Sequence, residues 1–148
     1  MPRRSRSEEL LDFEIEFYEK LLRAYPDFAD VLLPLGDAYT RRGHYDKGLE
    51  IDLRLTQLRG SDPLSWYNLA CSYSLLNRVD ESVKALRHSV ALGYTDVSYL
   101  QKDPDLLNVR QSPKYRELLE LFASLSRSSA SHQIRPQHGT SETTSPAA

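Results

Sequence analysis

One stretch of this chain occurs twice, and that repetition limits the fold more than any other feature. In Asp62-Pro63-Leu64-Ser65-Trp66-Tyr67-Asn68-Leu69-Ala70-Cys71-Ser72-Tyr73, the residues Trp66, Leu69, Ala70 and Tyr73 stand at spacings of three, four and seven. Such spacing marks one face of an α-helix. Asp62 is a good N-cap, and Pro63 falls in the first turn, where a missing N–H costs nothing. About 34 residues earlier, the period at which helix-pair repeats recur, Leu32, Leu35, Gly36 and Tyr39 stand in the same register without a gap. The register continues through Gly43 and Asn77, Asp46 and Asp80, Gly48 and Ser82, Leu49 and Val83, and Leu58 and Leu92. A period kept over a whole unit predicts stacked helix pairs.

A local signal competes with this. Leu49, Ile51, Leu53 and Leu55 alternate with Glu50, Asp52 and Arg54, and Phe13, Ile15 and Phe17 alternate with Glu14 and Glu16. Alternation of period two is the mark of a half-buried strand. The repeat decides for helix, because Val83, Leu86 and Val90 occupy the register of the first of these runs with helical spacing. Pro34 is a second irregularity, since a proline inside a helix removes a backbone hydrogen bond at a cost of about 3 kcal/mol. It reads either as a tolerated kink near the first turn or as a kink that widens a binding face.

These residues resemble the tetratricopeptide repeat, whose pattern is W-x2-L-G-x2-Y, then A-x3-F, then P. One unit reads Trp66-x2-Leu69-Ala70-x2-Tyr73 followed by Ser82-x3-Leu86, and the other Leu32-x2-Leu35-Gly36-x2-Tyr39 followed by Gly48-x3-Asp52. Small residues at Gly36, Ala70, Gly48 and Ser82 allow two antiparallel helices to approach closely. Asp52 replaces a large apolar residue of the pattern, and Gly60 and Tyr94 replace its closing proline. The resemblance implies an all-α fold, a short right-handed α-solenoid of antiparallel helix pairs.

The expected organisation is a basic flexible arm at 1–7 and a helical domain at 8–125. Within the domain, 8–26 is a cap helix, 27–62 the first repeat, 63–96 the second and 97–125 a closing block. Ser5 and Glu8 have capping-box spacing, and Pro26 closes the cap helix, which is similar to the second helix of a repeat lacking its partner. The block from Tyr99 to Leu119 resembles the segment that closes many bacterial arrays. Asp103-Pro104 and Ser112-Pro113 each open a short helix or turn, and Tyr115, Leu118, Leu119 and Phe122 give the last helix an apolar stripe ending near Ser124. Residues 126–148, rich in Ser, Thr, Pro, Gln and His, are expected to be disordered.

Hydrophobic content of 40% and charged content of 27% are those of an ordinary globular chain. A net charge of −2 gives no general attraction to nucleic acid or to an anionic membrane. Arg3, Arg4 and Arg6 lack interleaved aromatics and run into Glu8 and Glu9 without an apolar stretch, so neither nucleic-acid binding nor a signal peptide is expected. No apolar run approaches the roughly 20 residues of a membrane span, and the default location is the cytoplasm. With one cysteine, Cys71, no internal disulfide is possible. His44 and His88 share no register with each other or with Cys71, so no metal site is expected. No nucleophile elbow, phosphate loop or dinucleotide fingerprint is present, and the chain is expected to be non-catalytic and to need no cofactor.

The family resemblance implies protein binding instead, in a groove lined by the first helix of each unit. The candidate groove residues are Leu33, Asp37, Thr40 and Arg41 in the first unit and Tyr67, Asn68, Cys71 and Leu75 in the second, followed by Gln101 and Lys102. Asn68 offers both donor and acceptor to a peptide backbone, and Tyr67 offers amphipathic contact area. Tyr67, Cys71 and Leu75 are also suited to simple packing on the preceding repeat. A family variant clamps a C-terminal carboxylate with Lys and Asn; here Leu33 and Asp37 take the first pair of positions, Asn68 matches, and Lys102 is the basic candidate. An acid at Asp37 repels a carboxylate, which disfavours that clamp. The expected function is an adaptor that binds a peptide or helix of a partner protein. The alternative is self-assembly into a homodimer through stacked repeats.

Overall fold

The computed structural model describes residues 2–131, and every regular element among them is helical. In chain order these are α1 (Arg6–Ala24), α2 (Ala29–Arg42), α3 (Tyr45–Leu58), α4 (Pro63–Leu75), α5 (Val79–Ala91), α6 (Val97–Leu100), a 3-10 turn (Pro104–Leu106), α7 (Leu107–Arg110) and α8 (Pro113–Ser131). Helices α2 and α3 pack as one pair and α4 and α5 as the next, while α1 lies on α2 and α3 lies on α4. This is a short α-solenoid of paired helices, similar to that expected for tetratricopeptide repeats. The run from Leu49 to Leu55 lies within α3, so the repeat register prevails over the local alternation.

Local chemistry sets the boundaries. Ser5 Oγ accepts from Glu8 N at 3.2 Å while the Glu8 carboxylate accepts from Ser5 N at 2.9 Å, the reciprocal bonds of a capping box. Asp62 caps α4 by accepting from Leu64 N at 3.3 Å and Ser65 N at 3.2 Å. Both first helices end on a left-handed residue at the same register position, Gly43 with φ 85° and Asn77 with φ 57°. Behind them His44 N donates to Tyr39 O and Arg78 N donates to Tyr73 O, each at 2.8 Å. These bonds satisfy terminal carbonyls and turn the chain into the second helix. Helix α2 carries on through Pro34, whose missing N–H leaves the Asp30 carbonyl without its usual intrahelical donor.

The small residues act where the register puts them. A Cβ on Gly36 would stand 3.1 Å from Ile51 Cγ2 and 3.3 Å from Asp52 Oδ1, and one on Gly48 would stand 3.2 Å from Thr40 Oγ1. In the second pair Ala70 is fully buried, and Ser82 Oγ donates to its carbonyl at 2.6 Å. Leu69, Val83, Leu86 and Val90 form the main core with Leu100, Leu106, Val109, Leu118 and Phe122 of the closing segment. A smaller core joins Ile15 of α1 to Leu35, Ala38 and Tyr39 of α2.

Helix α8 runs to Ser131, past the end expected near Ser124, so 126–131 are helical rather than an irregular tail. Ser126 Oγ and Ser129 Oγ donate to the carbonyls of Phe122 and Leu125, four residues back, at 3.0 and 3.1 Å. Their hydroxyls thereby join the helix instead of competing with it. The rest of the segment expected to be disordered, 132–148, lies outside the described residues.

Candidate functional site

A concavity of about 410 Å³ lies between the two first helices and the segment that follows α5. Helix α2 contributes Leu33, Gly36, Asp37 and Thr40, and α4 contributes Leu64, Tyr67, Asn68, Cys71 and Ser72. The far wall is Tyr94, Asp96, Tyr99, Asp103 and Asp105, and Asp52 reaches the floor from α3. Thus six of the sequence-derived candidates, Leu33, Asp37, Thr40, Tyr67, Asn68 and Cys71, share one cavity.

Arg41, Leu75, Gln101 and Lys102 are not part of its lining. One residue past Thr40 is a rotation of about 100° on a helix, which turns Arg41 toward α1; it binds Asp37 at 2.8 Å and Glu14 at 3.3 Å. Leu75, at the end of α4, is half-buried beyond the cavity's edge. Gln101 and Lys102 are exposed, and Asp103, the next residue, turns inward in their place.

Asp103 organises the far wall. It is 3% exposed and caps the 3-10 turn by accepting from Asp105 N at 3.0 Å. Its other oxygen accepts from Tyr67 Oη at 2.7 Å and from Cys71 Sγ at 3.7 Å. Tyr67 stacks on Tyr94 with ring centroids 4.5 Å apart and planes at 17°, and Tyr99 lies 6.2 Å away. Burial, followed by the bond to Asp103, pushes the Tyr67 hydroxyl far above its ordinary range. Burial first, and the nearby carboxylates second, push the Cys71 thiol up as well, so it is held as a thiol rather than an activated nucleophile.

Asp52, the departure from the family pattern, is 6% exposed and accepts from Ser72 Oγ at 2.6 Å. Burial raises its pKa to about 6, against the opposing effect of the Ser72 hydroxyl. Asp105 is shifted upward too, by burial first and then by the charges of Asp103 and Asp37. Asn68, by contrast, makes no side-chain hydrogen bond among the described residues, so its amide is available to a ligand. Cys71 Sγ and carboxylate oxygens of Asp103 and Asp105 lie within 4.8 Å of one another. Both Asp103 oxygens already accept protein donors, and burial favours the protonated thiol. The arrangement offers hydrogen bonds, aromatic faces and negative charge, and no activated nucleophile.

The sequence pattern does not reveal Asp52, Ser72, Leu64, Tyr94, Asp96, Tyr99, Asp103 or Asp105 as lining residues. Asp52 carries one usable signal, an acid where the pattern calls for a large apolar residue. Asp103 is legible as a helix cap but not as a wall of the cavity.

The geometry defines a tetratricopeptide-like solenoid, and residues 64–92, which cover almost all of the α4–α5 pair, match the family model described as tetratricopeptide repeat. A curated relative, a chloroplastic protein from Arabidopsis thaliana, is 34% identical over 93 residues, a match covering 59% of this chain and 27% of that protein. The chain therefore corresponds to a minor part of that relative. Among the described residues no helix is long and apolar enough to cross a membrane.

Proposed function

We propose that this protein is a non-catalytic adaptor that holds a peptide segment or short helix of a partner protein in the concavity between α2, α4 and the closing segment. Repeats of the matched kind generally mediate protein–protein interaction. The observation that carries the reading is the convergence of Leu33, Asp37 and Thr40 with Tyr67 and the unbonded amide of Asn68 on one cavity of about 410 Å³. That volume lies in the usual range of ligand sites. A soluble compartment suits such an adaptor: the cytoplasm is the reading from the sequence, and the chloroplastic relative makes the chloroplast its rival.

A photo-crosslinking amino acid placed at Leu33 or Asn68, with Lys84 on the outer face as control, tests this reading. The groove positions are expected to capture one partner through one mappable segment. Capture from Lys84 alone would place binding elsewhere.

Self-assembly is the second reading, and one feature favours it. Leu10, Phe13 and Phe17 are 57%, 68% and 51% exposed and share a face of α1, which among the described residues packs mainly on α2, as a single helix. Dimers seen by sedimentation equilibrium and lost in Phe13→Glu would support this reading; a monomer at high concentration would remove it.

A further inference from the structure

Building on the groove reading above, we propose that the segment held there is positively charged. It is an extended stretch of a partner protein carrying Lys or Arg, with one cation between Asp37 and Asp105 and its neighbours along the tyrosine wall.

The charge in this cavity has one sign. Asp37, Asp52, Asp96, Asp103 and Asp105 all line it, and no Lys, Arg or His among the described residues does. Several acids on the outer surfaces are matched by a cation, although exposed acids such as Asp46, Glu50 and Glu120 are not, among the described residues. Asp12 meets Arg42 at 2.7 Å, Asp27 meets Arg54 at 2.6 Å, Asp30 meets Arg59 at 2.7 Å and Asp80 meets Lys114 at 2.6 Å. In the cavity, among the described residues, only Asp37 has an ion pair, to Arg41, which it shares with Glu14. The side chain of Asp105 has neither hydrogen bond nor ion pair among the described residues, and it feels the like charges of Asp103 and Asp37.

Asp52 adds an independent observation. The residue is 6% exposed and lines the cavity, and its carboxyl has a single hydroxyl, Ser72 Oγ, as its only hydrogen-bond donor among the described residues. A buried carboxylate is stable only when a charge or several donors compensate it. Here no cation of the described chain does so.

The neutral walls point the same way. Tyr67 and Tyr94 are stacked, and Tyr99, 53% exposed, continues the aromatic surface toward solvent. Tyr67 and Tyr94, 4% and 8% exposed, cover each other, so Tyr99 offers the open face for a guanidinium or ammonium group and the apolar stem that carries it. The free amide of Asn68 suits the backbone of an extended segment. The cavity is also much too large for an ion alone and of a size for side chains.

The test uses the full chain and a short fluorescent peptide of alternating Arg, Gly, Lys and Ser, capped at both ends, followed by fluorescence anisotropy. A second peptide carries Glu in place of every Arg and Lys. The basic peptide is expected to bind, to weaken as salt is raised, and to lose about tenfold in affinity with Asp105→Asn and more with Asp37→Asn added, as for loss of one and then two charge contacts. The controls Asp46→Asn and Glu120→Gln, exposed acids outside the cavity, are expected to leave affinity unchanged.

Four results would overturn the proposal: no binding of the basic peptide, equal binding of the Glu peptide, indifference to Asp37→Asn with Asp105→Asn, or equal loss in the controls. Binding abolished by EDTA would do so too, by assigning the acids to a metal ion. If the crosslinker at Asn68 still captures a neutral or acidic segment, the charge assignment alone fails. If the groove positions capture nothing, the groove reading fails with it.

Discussion

Replacing Asp52 by Asn should stabilise the fold, and only above a definite pH. The buried carboxyl keeps its proton up to about pH 6 in the folded chain, whereas its ordinary value is 3.8. Between these values folding takes up a proton, so the penalty of the buried acid vanishes well below pH 3.8, grows as pH rises, and is complete above about 6. That gap corresponds to roughly 3 kcal/mol, at 1.36 kcal/mol for each tenfold change in proton affinity. Asn keeps the shape and an oxygen to accept from Ser72 Oγ, now at 2.6 Å, so the variant removes the charge and little else. Urea unfolding of both proteins at pH 4 and pH 7.5 isolates the effect, because the other acids cancel in the difference. Asp52→Asn is expected to gain about 2–3 kcal/mol at pH 7.5 and only about 0.5 kcal/mol at pH 4. An equal effect at the two pH values, or a loss at pH 7.5, would refute the view that Asp52 is a buried charge without compensation. The same variant is expected to weaken any cationic ligand, linking the cost in stability to the use of the groove.

Other perturbations test the frame around the groove. Leu118→Ala, which empties a fully buried position between α8 and the second pair, should cost about 2–5 kcal/mol in urea unfolding; a loss near zero would mean that the closing helix is not docked. Asn77→Ala forces alanine into a φ of 57° and should cost about 1–2 kcal/mol, while Asn77→Gly should be close to neutral. Equal effects of the two substitutions would show that the left-handed turn is not what ends α4. The Cys71 thiol is buried and shifted upward, so a thiol reagent at pH 8 should react with the native chain far more slowly than with the urea-unfolded chain. Comparable rates would mean that the wall around Asp103 opens readily.

The parts of this fold that can be read from the sequence are those specified by neighbours along the chain. Ser5 with Glu8, Asp62 with Pro63 and the Gly43–Asn77 register fix helix ends locally, and the spacing of Trp66, Leu69, Ala70 and Tyr73 fixes a helix face. The Leu49–Leu55 run shows where local reading fails: its alternation is compatible with a strand, and only the second copy of the unit resolves it. The cavity is half legible. Residues on first helices follow from the repeat, which is why Leu33, Asp37, Thr40, Tyr67, Asn68 and Cys71 can be picked out. Asp52 and Asp103 require knowing which side of α3 and of the closing segment faces α4, which is a property of packing between distant parts of the chain. The pattern points to Lys102 rather than Asp103 for that reason: adjacent positions in the sequence face solvent and the cavity respectively. The end of α8 is not legible because a serine-rich sequence is poor in apolar contacts, while its hydroxyls are bonded to the helix itself.

The most direct measurement is an amide spectrum of the labelled full chain, titrated with the segment that the Asn68 crosslinker captures. Occupancy of the concave face should move the resonances of residues 33–40, 67–72 and 94–105 and leave the outer faces of α3 and α5 unmoved. Perturbations confined to α1, α8 or those outer faces, with Tyr67, Asn68 and Asp105 silent, would contradict the account.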